Sequence, residues 1–122
     1  MATKIDIEPT ELDFSIHKGI TLGPLVFFCQ DLNCNPVDLT GSTAFGEVRT
    51  DAGSAVIFDL QPTITDASGG EITIERTDEA TGAISASSGE YSWDLIHQNA
   101  AGKRYKLAYG TVDLTDTITQ PA

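Results

Sequence analysis

Ser88-Gly89-Glu90-Tyr91-Ser92-Trp93-Asp94-Leu95 places Tyr91, Trp93 and Leu95 at every second position, with Ser92 and Asp94 between them. A strand turns successive side chains to opposite faces, so this spacing puts three large apolar groups on one face and polar groups on the other. The same period recurs outward in both directions. Leu12, Phe14 and Ile16 alternate with Asp13, Ser15 and His17; Ile72 and Ile74 alternate with Glu71, Thr73 and Glu75; Val56, Phe58 and Leu60 form a further set. Each is the pattern of a strand with one side on a core and one in water.

Turn chemistry separates these segments, at 31–36, 51–54, 66–70, 87–89 and 98–103, where Gly, Asn, Asp, Ser and Pro cluster. Short strands at this spacing predict an all-β fold, a single antiparallel β-sandwich, immunoglobulin-like or barrel-like, with about seven to eight strands. At most one short helical turn is expected, near 77–84, with Asp78 as its cap. The domain is expected over 12–115, between an N-terminal arm (1–11) and a C-terminal tail (116–122).

Two segments depart from simple alternation. From Leu25 to Phe28 both faces are apolar, as in a central strand covered on both sides or a strand whose outer face meets another subunit. In the last strand Tyr105 and Leu107 have one parity, Val112 and Leu114 the other. A bulge near Tyr109–Gly110 would bring all four to the core.

The 122 residues suffice for one domain, and 40% hydrophobic content is that of a folded chain. Eighteen acidic residues against seven basic ones give a net charge of −11, which disfavours binding to phosphate backbones and anionic membranes. The N-terminus lacks a secretory pattern, and the longest apolar run, near Leu25–Cys29, is too short to span a bilayer. A reducing cytoplasm is therefore the expected site of synthesis. Cys29 and Cys34 flank a turn and could face each other, but the simpler expectation is one buried thiol and one loop thiol.

Chemistry-bearing motifs are few. His17 and His97 are expected at the surface, His97 in a loop after its strand, and neither lies in a nucleophile motif. Asp94 beside Trp93 points by parity to the solvated face. Asp31-x-Asn33-x-Asn35 opens like a calcium loop, but Pro36 and Ser42 stand where that loop needs its Gly and its bidentate Glu. The Cys/His spacing of a zinc site and the phosphate-binding glycine loop are not found. No catalytic residue, metal or cofactor is expected, and a small-molecule ligand is not anticipated. Trp93, Tyr91, Tyr105 and Tyr109 would form a sugar-stacking platform only if exposed; core positions are the expectation.

The run Asn35-Pro36-Val37-Asp38-Leu39-Thr40-Gly41, continuing through strand-like residues to Arg49, resembles a signature of small phage tail and baseplate domains. The nearest such family is the N-terminal domain of upper-baseplate proteins of lactococcal-type siphophages, with related tail-fibre attachment domains. Further segments resemble the family in order: 69–74, 88–95 with Tyr91, Trp93, Asp94 and Leu95, and 109–114 with Gly110. In physical terms these are fold markers: Asp38 caps a turn, Leu39 enters the core, and Gly41 adopts a backbone angle other residues avoid.

The resemblance implies a non-enzymatic virion structural protein in the tail, neck or baseplate. It would be assembled in the bacterial host cytoplasm and would contact other virion proteins and copies of itself in a symmetric ring. Because the chain ends shortly after its last strand, a standalone part without an attached adhesin is expected. A capsid decoration protein and a carbohydrate or host-surface binding module are the alternatives. The contact residues expected on this reading are Ile5, Ile7, Leu25, Phe27, Asn33, Thr117 and Ile118.

Overall fold

The computed structural model describes residues 10–30, 33–50 and 54–116. Nine strands and one short helix follow in order: β1 (Thr10–Glu11), β2 (Phe14–His17), β3 (Leu22–Phe28), β4 (Thr43–Arg49), β5 (Val56–Asp59), β6 (Thr63–Asp66), β7 (Glu71–Arg76), α1 (Asp78–Gly82), β8 (Gly89–Gln98) and β9 (Arg104–Thr115). The period-two segments become strands because each can bury alternate side chains against a second layer. The larger sheet runs β1-β9-β8-β4-β5, with β2 also on β9; the smaller runs β3-β7-β6. Ile16, Val48, Phe58, Trp93, Leu95, Val112 and Leu114 from the first layer meet Leu22, Ile72 and Ile74 from the second.

The chain is thus an all-β sandwich, with nine strands among the described residues where about seven to eight are expected. Its pairing is antiparallel except that β1 and β2 run parallel to β9. From β3 onward the order is that of immunoglobulin domains: strands B, E and D in one sheet, C′, C, F and G in the other. A further hallmark stands at the start of β8. The Tyr91 hydroxyl donates to the Ser87 carbonyl at 2.6 Å, closing a tyrosine corner two residues before Trp93. Antibody domains place a disulfide between strands B and F. Here Phe27 of β3 and Trp93 of β8 bring their rings together across the sheets, centroids 6.0 Å apart.

Trp93 ties the edge together as well. Phe14 meets it edge-on at 5.0 Å, and its indole N–H donates to the Leu12 carbonyl at 2.8 Å. That carbonyl belongs to the kink between β1 and β2, so the strand expected from Leu12 begins only at Phe14. Thr10 and Glu11, expected in an arm, pair with Ala108 and Tyr109.

The parity change in β9 is present but lies upstream of Gly110. Leu95 pairs with Ala108 and Ile96 with Lys106, which leaves Leu107 as the extra residue. Leu107, Ala108, Val112 and Leu114 all become buried. Gly110 serves a different need: a Cβ there would collide with the Leu12 carbonyl. The helix is capped by Thr77, whose hydroxyl oxygen accepts from the Ala80 N–H at 3.2 Å, while Asp78 sits in its first turn. The buried Thr81 hydroxyl then anchors the helix to the turn before β3, accepting from Gly19 N–H at 3.1 Å and donating to the Ile20 carbonyl at 2.8 Å.

Candidate docking surface

β3 is the outer strand of the smaller sheet among the described residues, not a central strand. Gly23 and Pro24, joined by a cis peptide, form a bulge between Leu22 and Leu25. The bulge reverses parity, so Leu22, Leu25 and Phe27 all face the core. Leu25 and Phe27, expected as contact residues, are therefore interior. Their neighbours Val26 and Phe28 take the outer face, 46% and 61% exposed. Across the strand they stand opposite Thr73 and Glu71. Beyond them the surface is polar, with the Thr65 hydroxyl within 2.9 Å of the Glu71 carboxylate and 3.0 Å of the Thr73 hydroxyl. The result is an apolar strip along one sheet edge, bounded by polar groups.

The signature run holds the end of this strip. Cys29 N–H donates to the Gly70 carbonyl, Val37 N–H to the Cys29 carbonyl, and Leu39 N–H to the Ala67 carbonyl, at 2.8–2.9 Å. Pro36 bridges Gln30. Asp38 accepts from the Thr40 N–H at 3.0 Å and its hydroxyl at 2.6 Å, which keeps its carboxyl below the usual carboxylate range. Leu39 is fully buried, and Gly41 takes a φ of +77°. The expected roles of Asp38, Leu39 and Gly41 are those observed. Arg49, closing the run, pairs with Glu47 at 2.8 Å and donates to the Ser54 carbonyl at 2.5 Å. Asn33 is exposed in the turn ahead of Pro36. Ile5, Ile7, Thr117 and Ile118 lie outside the described residues, as does Asp31 of the calcium-like loop.

The remaining chemistry is dispersed. His17 is exposed and hydrogen-bonded to the Thr115 hydroxyl at 2.6 Å. His97, expected in a surface loop, is instead the next inward position of β8 after Leu95 and only 2% exposed. It stacks on Tyr105 at 5.6 Å, its Nδ1 has no hydrogen-bond partner, and burial pushes its pKa down. Cys29 is buried and free, its thiol pushed up to about 11 by burial, and Cys34 is exposed and free. Asp94 faces outward, 3.9 Å from the Lys106 ammonium. Trp93 lies in the core, so a stacking platform built on it is not available. Among the described residues no cluster of His, Cys, Asp or Glu could hold a metal ion, and no helix is long and apolar enough to cross a membrane.

No family model matches the chain, and no curated protein matches it. Solved structures similar to it include an internalin-like protein of Listeria monocytogenes, 18% identical over 89% of this chain, TM-score 0.39. The N-terminal four Ig domains of a Dscam1 isoform are 11% identical over 93%, TM-score 0.36. The chain spans 28% of the length of each.

Proposed function

We propose that this chain is a non-enzymatic docking domain, a structural part of a bacteriophage particle in its tail, neck or baseplate. One observation carries the docking reading: Val26 and Phe28 stand exposed side by side on a sheet edge whose end is held rigid by backbone hydrogen bonds. An apolar strip with a polar border is what a protein partner covers. The particle reading draws on the run 35–49, whose resemblance to phage tail and baseplate domains falls on the element that holds this edge. Its partners are then other virion proteins and further copies of the chain, rather than nucleic acid or lipid, and its place is the assembled virion.

The test is incorporation. Particles are gradient-purified from cells expressing the tagged chain, and its copy number is measured by quantitative mass spectrometry. Wild type is expected in multiple copies per particle. Phe28→Ser is expected to fold with an unchanged melting temperature and to be lost from particles. Wild-type chain left wholly in the soluble fraction overturns the particle reading.

A further inference from the structure

The edge of β3 offers more than side chains. In an antiparallel pair, facing residues alternate between those that exchange both backbone hydrogen bonds and those that exchange none. Cys29 N–H donates to the Gly70 carbonyl at 2.8 Å, which sets the phase of that alternation beside β7. Two and four residues back, Phe27 opposite Ile72 and Leu25 opposite Ile74 are then the bonding pairs. Phe28 opposite Glu71 and Val26 opposite Thr73 are the others. The N–H and C=O groups of Val26 and Phe28 therefore point away from β7, in the plane of the sheet. Among the described residues no strand pairs with β3 on that side.

The core below this edge is only partly covered. The inward-facing Leu25 and Phe27 are half-buried, as is Phe14, and Leu12 is 36% exposed. Phe14 and Phe27 both lean on Trp93, at 5.0 and 6.0 Å, so these groups line one side of the sandwich. Other surfaces differ. The opposite outer strand, β6, exposes Thr63, Thr65 and the charged Asp66, side chains that discourage pairing. On the larger sheet, the exposed Phe45 and Tyr109 already lie under the Arg104 guanidinium and the Lys106 ammonium, 5.8 and 5.9 Å from the ring centroids.

We propose that the β3 edge docks by strand addition: an extended segment of another virion protein pairs along Val26–Phe28 and becomes the next strand of the smaller sheet. Such pairing rests on the docking role proposed above and says what the partner presents. Its backbone meets the outward N–H and C=O of Val26 and of Phe28. Its side chains alternate, one set beside Val26 and Phe28, the other over Leu25, Phe27 and Phe14, so both faces are apolar. Glu71 stands next to Phe28 and the chain's net charge is −11, so the segment is neutral or basic. Pairing stops upstream at the Gly23–Pro24 bulge, where Pro24 has no N–H to give.

Amide exchange tests the pairing. In the purified chain, Phe27 and Cys29 amides should exchange slowly and those of Val26 and Phe28 at close to the unprotected rate. In gradient-purified particles carrying the chain, Val26 and Phe28 should slow by at least about 100-fold. Slow exchange at both in the purified chain overturns the proposal, because the edge is then covered without a partner. Fast exchange in particles that hold the chain overturns it too, and leaves the particle reading standing with docking through side chains. Wild-type chain absent from particles overturns the particle reading and this partner with it. A pair of variants reads the backbone separately. Val26→Pro removes one outward N–H and leaves the ladder to β7 in place, so it should melt as wild type does while copy number falls at least about tenfold. Val26→Thr keeps the N–H and the shape and should stay within about twofold of wild type. Equal incorporation of the two, both folded, overturns strand addition.

Discussion

Gly110→Ala probes the junction that locks the β1–β2 kink to the larger sheet. The new methyl would collide with the Leu12 carbonyl and lie 2.7 Å from its carbon and 2.8 Å from the Asp13 carboxylate. The carbonyl must retreat by about 1 Å to ordinary contact distance. Three hydrogen bonds depend on its position: Leu12 N–H to the Tyr109 carbonyl at 2.8 Å, the Trp93 indole N–H to the Leu12 carbonyl at 2.8 Å, and Thr111 N–H to the Asp13 carboxylate at 2.9 Å. Losing the first and third costs about 1 kcal/mol each, and orphaning the buried indole donor costs about 1–3 more. The expected loss is about 3–5 kcal/mol, or roughly 12–20 °C in Tm for a chain of this size. Gly89→Ala is the control, because Gly89 has nearly the same φ, +157° against +159°, with nothing near its missing Cβ. Urea unfolding followed by fluorescence reads the junction directly, since Trp93 is the chain's one tryptophan. If the two variants differ by less than about 1 kcal/mol, close approach is not what requires glycine at 110.

Tyr91→Phe removes the bond to Ser87 and should lower stability by about 1 kcal/mol in urea melts, without altering the Trp93 spectrum. Thr81→Val leaves the Gly19 N–H without its acceptor and should cost about 1–3 kcal/mol, with faster amide exchange at Gly19. His97 has a folded pKa below its unfolded value of 6.5, so the unfolded state binds more protons as pH falls. Stability held above pH 6.5 should therefore decline below it, by at most about 1.4 kcal/mol per pH unit for one proton. His97→Phe should flatten that part of the profile in melts between pH 7.5 and 5.

Much of the sandwich is legible in the sequence because strand faces are written locally. Tyr91, Trp93 and Leu95 need only their own spacing to declare a face, and the Asp38–Gly41 turn needs only its own residue types. Legibility fails where both faces are apolar or where pairing extends a strand. Val26, Phe27 and Phe28 offer period two no preference, and Leu22 alone would turn Val26 and Phe28 inward. The Gly23–Pro24 bulge decides otherwise, by setting Leu25 against Ile74 and Phe27 against Ile72. His97 holds the inward parity of Leu95, yet polar residues around it read as a loop. Its pairing with Ala44 and Tyr105 carries β8 two residues further. Gly110 was legible as a special position but not by cause: the bulge sits at Leu107, and the glycine answers to Leu12, about a hundred residues away.

The candidate surfaces follow from the same division. Phe27 and Trp93 tie the layers together from inside, so the fold makes no demand on Phe28, Val26, Phe45 or Tyr109. A phenylalanine side chain gains about 1.5–3 kcal/mol on full burial, and Phe28 retains most of that as a drive to dock. The two apolar surfaces belong to different layers: Val26 and Phe28 face outward from the smaller sheet, Phe45 and Tyr109 from the larger. On the proposed function, repeated sites on a symmetric particle would each take one Val26–Phe28 edge, and repetition of that modest contact is what would hold a small domain on a larger assembly.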